Sequence, residues 1–194
     1  MYGIKEPGGI RMRIRYGIYL LLAAIVGAGC GSDSPTGPSS RPGTFSAKVT
    51  GAVEIEMSGE AVFNSQGFDM TTGTPGRLVI LSAASPQLGM GLHMAFPGNF
   101  QPGQATYEIG QYDTSAENLF DQELDPERVY VVVTLPDEES TAVGFFSVSG
   151  SVRITTAAAS AFGGEFELTA RTTDFNNEGE RIVEVTGNFS AIGS

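Results

Sequence analysis

Met90, His93 and Met94 are the first residues whose types suggest chemistry, two thioethers and the chain's one imidazole within five positions. Together they resemble the soft donor set of a copper site. On a strand, however, side chains alternate between faces, so Met90 and Met94 share one face and His93 projects from the other. The spacing therefore predicts core methionines and an ordinary histidine. Nucleophilic catalysis finds no footing either. The chain has no Gly-x-Ser-x-Gly, and its one histidine has no identifiable partner. An enzyme built on paired carboxylates leaves no mark in a sequence, so an envelope hydrolase of that kind stands as an alternative.

Two acidic stretches carry oxygen ligands at alternate positions. Asp174, Asn176 and Glu178 precede Gly179, as in the front of a calcium loop. Val185 then falls where the closing bidentate glutamate belongs, so the run also reads as a solvated hairpin turn. The second stretch holds Glu117, Asp121, Glu123, Asp125 and Glu127 within Gln111–Glu127, and Pro126 sits where a calcium loop needs glycine. Seventeen residues exceed the roughly 12–15 beyond which loops in compact domains are mostly functional or disordered. Leu119, Phe120 and Leu124 should pin part of this stretch onto the sheet. It is the candidate contact surface for a protein partner or a cation. Glu54, Glu56, Glu165 and Glu167 lie on exposed strand faces, where they serve as solvent-facing charge, as protection against edge pairing, or as a site for a cationic partner.

The only cysteine, Cys30, ends a different kind of stretch. Arg11, Arg13 and Arg15 lead into the apolar run Gly17 to Gly29, followed directly by Cys30. That is the layout of an export signal. The run has 13 residues, short of the roughly 20 that a spanning helix needs. Gly27-Ala28-Gly29-Cys30 resembles the lipobox of bacterial lipoproteins, with Gly27 in place of that family's usual aliphatic residue. The resemblance covers about residues 12 to 30. It implies a diacylglycerol on the Cys30 thiol, cleavage of residues 1–29, and an acyl chain, such as palmitate, on the new amino terminus. No other cofactor is expected. Met12 opens a compact basic segment directly before the apolar run and is a candidate true start.

Read as processed at Cys30, the chain keeps seven basic and 21 acidic residues, a net charge of −14. Such a charge disfavours nucleic acid and adsorption of the folded surface to an anionic bilayer. Membrane attachment then rests on the acyl chains, two or more of which anchor stably. Residues 30–43 hold the lipidated cysteine and a Ser/Gly/Pro-rich tether without a large apolar residue. A flexible tether of this length spans on the order of 20 Å.

From Thr44 to Ser194 the dominant period is two. Phe45, Ala47 and Val49 alternate with Ser46, Lys48 and Thr50. Val53, Ile55 and Met57 alternate with Glu54 and Glu56. Arg77 to Ala83, Leu88 to Ala95, Ala105 to Ile109 and Val129 to Leu135 follow. The Val129 strand is nearly all apolar and so predicted central. Three long strands close the chain, about Ala142 to Thr155, Gly164 to Thr172 and Arg181 to Ile192. No sustained helical spacing follows Cys30, beyond one helical turn predicted near Ser115 to Phe120. The segments Ser149 to Thr155, Gly164 to Ala170 and Val185 to Phe189, with Tyr107-Glu108-Ile109-Gly110 before them, resemble the end of small secreted bacterial lipoproteins of uncharacterised function. That resemblance implies a β-sandwich-like fold and carries no catalytic residue.

The expected protein is a monomeric, all-β, antiparallel β-sandwich-like domain of about nine strands over residues 44–194, with a closed β-barrel as the alternative. It would be lipid-anchored in a bacterial cell envelope, at the outer membrane or cell surface where the cell has two membranes. Its role would be structural or binding rather than enzymatic. If the sheet closes, a carrier of an apolar ligand in the barrel interior is the alternative.

Overall fold

The computed structural model describes residues 43–64, 76–83, 90–98, 101–113, 122, 124–136, 142–172 and 179–193. All belong to one compact unit, Ser40–Ser194. Cys30 and the stretch before it, the tether, Leu88, and Asp174, Asn176 and Glu178 lie outside the described residues, as do Glu117, Leu119, Phe120, Asp121 and Glu123.

Nine strands form: β1 Gly43–Gly51, β2 Ile55–Asn64, β3 Arg77–Ala83, β4 Gly91–Phe96, β5 Thr106–Glu108, β6 Tyr130–Pro136, β7 Ala142–Ala157, β8 Ala161–Thr172 and β9 Ile182–Gly193. The described residues contain no helix. Alternation is the cause. In β1, Phe45, Ala47 and Val49 are buried while Ser46 and Lys48 are exposed, and β8 and β9 repeat the pattern. Val53, read as part of a strand, lies in the turn between β1 and β2, where Gly51 takes a φ of 105°. The short run Ala61–Phe63 continues β2 without a break.

The strands hydrogen-bond in the order β5-β7-β6-β4-β3-β2-β1-β9-β8, and β7 pairs with β8 as well. That last pairing closes the sheet into an eight-stranded antiparallel barrel. The all-β domain of about nine strands thus forms as expected, and of the two closures, sandwich and barrel, the chain takes the barrel. The reason lies in β7, which is 16 residues long and reaches past β6. Its first half pairs with β6, its middle with β5, and its opposite edge with β8 along most of its length. A strand paired on both edges leaves no second sheet to separate.

The strands β5 and β6 occupy one barrel position in succession. Both run antiparallel to β7, and Ile109 bridges Val129 in parallel. The chain leaves the wall after Ile109 and re-enters at Val129. The long polar segment is therefore an excursion inserted into a single barrel strand.

Inside, the core residues form one contiguous cluster contributed by all eight wall positions. Phe63, Phe145, Phe162, Leu81, Leu92, Met94 and Leu135 are fully buried there. Each such side chain contributes about 1.5–3 kcal/mol by leaving water. Phe162 meets Phe63, Phe96 and Phe189 at 5.6 to 6.0 Å between ring centroids. Arg77, at the start of β3, is only 6 % exposed and lays its guanidinium over Phe63 at 4.5 Å and Phe162 at 5.0 Å. Desolvation lowers its pKa from the ordinary value, yet a guanidinium remains charged at any physiological pH.

A polar saddle on the outer face of the barrel

Met90 and Met94 are buried in the core, whereas His93 lies on the outer face of β4. Its cross-strand neighbours there are Ile80 and Val132. Burial among them lowers the imidazole pKa from its ordinary value. Among the described residues no group of three or more His, Cys, Asp or Glu could hold a metal ion.

The described ends of the excursion between β5 and β6 pack back on the outer wall through Tyr112 and Leu124. Tyr112, Leu124 and Tyr130 form a small cluster with Val132 and Phe146. Tyr112 meets Tyr130 at 5.3 Å and Phe146 at 5.5 Å, both edge to face. Leu124 is thus pinned to the sheet as its type suggested. The Asp113 amide donates to Gln122 Oε1 at 2.8 Å, and the Asp125 amide donates to the Tyr130 hydroxyl at 3.0 Å. Of the acidic candidates here, Asp125 accepts from the Glu127 amide at 2.9 Å and faces Arg128 at 3.4 Å. Its carboxylate shapes the turn that returns the chain to β6. Glu127 is exposed. At the β8–β9 hairpin, Glu180 pairs with Arg171 at 2.8 Å.

A broad depression lies elsewhere among the described residues, on the outer face across β2, β1, β9, β8, β7 and β5, with a volume of about 1080 Å³. Two rungs of outward side chains cross it in strict register. One runs Ser58, Ser46, Asn188, Glu165, Arg153, Thr106. The other runs Glu56, Lys48, Thr186, Glu167, Ser151. All but the half-buried Ser151 are exposed. Glu54 stays outside both rungs, in the turn before β2.

The hollow shape comes from the strands beneath. Register shifts at Ser147/Ser149 and Ile154/Thr156 bracket Ser151 and Arg153 on β7. Such bulges bend a strand and increase its twist. Between them Gly150 takes a φ of 135°, a conformation closed to most side chains. On β9, Gly187 lets the chain dip. A Cβ there would stand 2.5 Å from Phe166 Cζ and closer still to the Ser46 carbonyl oxygen. Bulges and glycines together turn a convex barrel wall into a saddle.

Sequence reading singled out Glu56, Glu165 and Glu167 as candidate site residues and set Lys48 on the polar face of its strand, but did not group Lys48, Arg153, Thr186 or Asn188 with them. Part of that grouping was within reach. Lys48 lies opposite Glu56 across the β1–β2 hairpin, and Arg153 lies opposite Glu165 across the β7–β8 hairpin. The β9 strand, which joins the two hairpins, carries no such signal.

The arrangement can hydrogen-bond and pair with charged groups. Glu165 and Glu167 project from one strand onto an open surface, without the unequal burial that separates acid from base in a carboxylate pair. The fold and site thus define a closed antiparallel β-barrel with an apolar core inside and a polar saddle outside, compatible with a binding or carrier domain. A membrane-spanning barrel would instead carry an apolar band all round its exterior, and here Lys48, Glu56, Glu165 and Glu167 stand outward across half of it. No helix among the described residues is long and apolar enough to cross a membrane. Comparison with known proteins finds no matching family, no similar curated protein and no similar solved structure.

Proposed function

We propose that this chain is a lipid-anchored envelope protein whose barrel works as a non-enzymatic binding domain through its outer face. The observation that carries the reading is the contrast between the two sides of the wall. The interior positions hold Phe63, Phe145 and Phe162, fully buried. The concave surface is outside, and the side chains that stand outward over it carry hydroxyl, amide and charged groups, with Ala47, Met57 and Phe166 beneath them. Barrel closure is also the architecture of an apolar carrier, but the large side chains inside favour a surface binder. Anchoring rests on the lipobox-like Gly27-Ala28-Gly29-Cys30 and on a tether long enough to hold an acidic domain clear of the bilayer.

Two arms test the reading in a bacterial host. Cys30→Ser should release the protein from membranes or leave its precursor uncleaved, and should abolish palmitate labelling. A processed mutant retained on membranes as well as the wild type contradicts lipid anchoring. In pull-downs from envelope extracts, Glu165→Lys with Glu167→Lys should lose the partner recovered by the wild-type chain. Undiminished recovery contradicts the outer-face reading.

A further inference from the structure

The charges of the saddle alternate in space. Crossing from β2 to β7, the outward side chains are Glu56, then Lys48, then Thr186 and Asn188, then Glu167 and Glu165, then Arg153. Neighbouring strands lie about 4.8 Å apart and residues on one face repeat about every 7 Å, which sets Lys48 and Arg153, three strands and one rung apart, roughly 16 Å from each other. Glu165 and Glu167, on one face of β8, stand about 7 Å apart between them. The ion pairs within 4.0 Å among the described residues form at Arg128 and Arg171, and neither Lys48 nor Arg153 closes onto the glutamate opposite it. The register thus holds opposite charges side by side on separate strands, each with its hydrogen-bonding capacity left for a ligand.

We infer that the saddle binds an extended ampholytic peptide, one that carries ammonium and carboxylate groups in alternation. The inference rests on the outer-face reading above and names the ligand class for it. Glu165 and Glu167 take an ammonium at the centre, and Lys48 and Arg153 take carboxylates on either side. Ser46, Thr186 and Asn188 supply hydrogen-bonding groups to the peptide main chain between those charges. A purely cationic ligand would be drawn anywhere on so acidic a domain, and a purely anionic one would be repelled. Only a ligand with both signs uses the two bases that interrupt the acidic surface here. A sugar is disfavoured because the one ring among the described lining residues is Phe166, buried at 4 % exposure, so no flat aromatic face is offered for stacking. Exposed ion pairs are weak one at a time, and an array of barrels anchored on a membrane would strengthen binding through multivalency.

The test uses the full-length protein in detergent micelles and three end-capped, fluorescently labelled pentapeptides. The ampholyte is Lys-Glu-Ser-Lys-Glu, the cationic control Lys-Gln-Ser-Lys-Gln and the anionic control Gln-Glu-Ser-Gln-Glu. At physiological salt, about 150 mM, anisotropy should show the ampholyte binding at least about threefold tighter than the cationic control. Lys48→Gln with Arg153→Gln should remove that preference, and Glu165→Gln with Glu167→Gln should weaken both peptides. All four changes are at exposed positions, so circular dichroism should report an unaltered fold. Equal or tighter binding of the cationic control, or absence of binding by all three, overturns the inference. If the peptides fail while the Glu165→Lys/Glu167→Lys variant still loses the envelope partner, the ligand class is wrong and the outer-face reading stands. If that variant also keeps the partner, both are wrong.

Discussion

The Ser147 hydroxyl donates to the Gly110 carbonyl at 2.8 Å and accepts from the Val131 amide at 3.2 Å. One side chain on β7 thus joins the two ends of the interrupted strand, where the chain leaves after β5 and re-enters as β6. The Ser147 carbonyl adds a third tie by accepting from the Tyr112 amide at 3.0 Å. The bulge that follows Ser147 in β7 accompanies this arrangement. Ser147 is 1 % exposed, so removing its hydroxyl leaves two buried main-chain groups short of a partner. Ser147→Ala should cost about 1–3 kcal/mol in urea unfolding, whereas the exposed Thr156→Ala should stay within about 0.5 kcal/mol of wild type.

Arg77 should not tolerate lysine. Its planar guanidinium stacks on Phe63 and Phe162 together. A lysine ammonium is compact and more strongly hydrated, so it loses the stacking and resists the same burial. Arg77→Lys should lower stability by roughly 1–3 kcal/mol, measured by denaturant midpoint, although the formal charge is unchanged.

Gly187→Ala tests the floor of the saddle. The new methyl meets the Phe166 ring and the Ser46 carbonyl, one side chain and one main-chain group. Overpacking of this kind costs about 1–3 kcal/mol. Adding Phe166→Leu should relieve only the ring contact. The double variant should therefore recover less than the whole loss in thermal unfolding.

His93 predicts a pH dependence with a definite sign. Its pKa is lowered in the folded barrel by burial, so the unfolded chain binds the proton more readily. Stability therefore rises with pH through the range between the folded value and the ordinary histidine value near 6.5. It is fully present above that range and is lost as pH falls through it. His93→Gln should flatten this part of the stability profile between about pH 7.5 and 5, while carboxylate titration below it persists. An unchanged slope in the variant would assign the dependence elsewhere.

The strands were legible because burial on one face enforces a period of two. Phe45-Ala47-Val49 and Phe166-Leu168-Ala170 could be assigned to the inside without knowing what lay opposite, and Arg77–Ala83 matches its strand end to end. Local turn chemistry also placed the breaks, as at Gly51 and Pro97-Gly98. The sequence likewise separated Met90 and Met94 from His93, since side-chain direction on a strand is a local property.

Closure was decided only in three dimensions. Whether β7 ends at the edge of one sheet or joins β8 after pairing with β6 and β5 depends on strand length, tilt and bulges acting together. No single stretch of sequence carries that information. The saddle has the same origin. Each hairpin contributes a charge pair that its own register fixes, but β1–β9 and β8–β9 pairing brings the hairpins side by side. Lys48 and Arg153 are more than a hundred residues apart in the chain, and hydrogen bonding between non-local strands sets them on one surface. Face and period are local consequences of the sequence, whereas neighbourhood across strands is a consequence of how the barrel shuts.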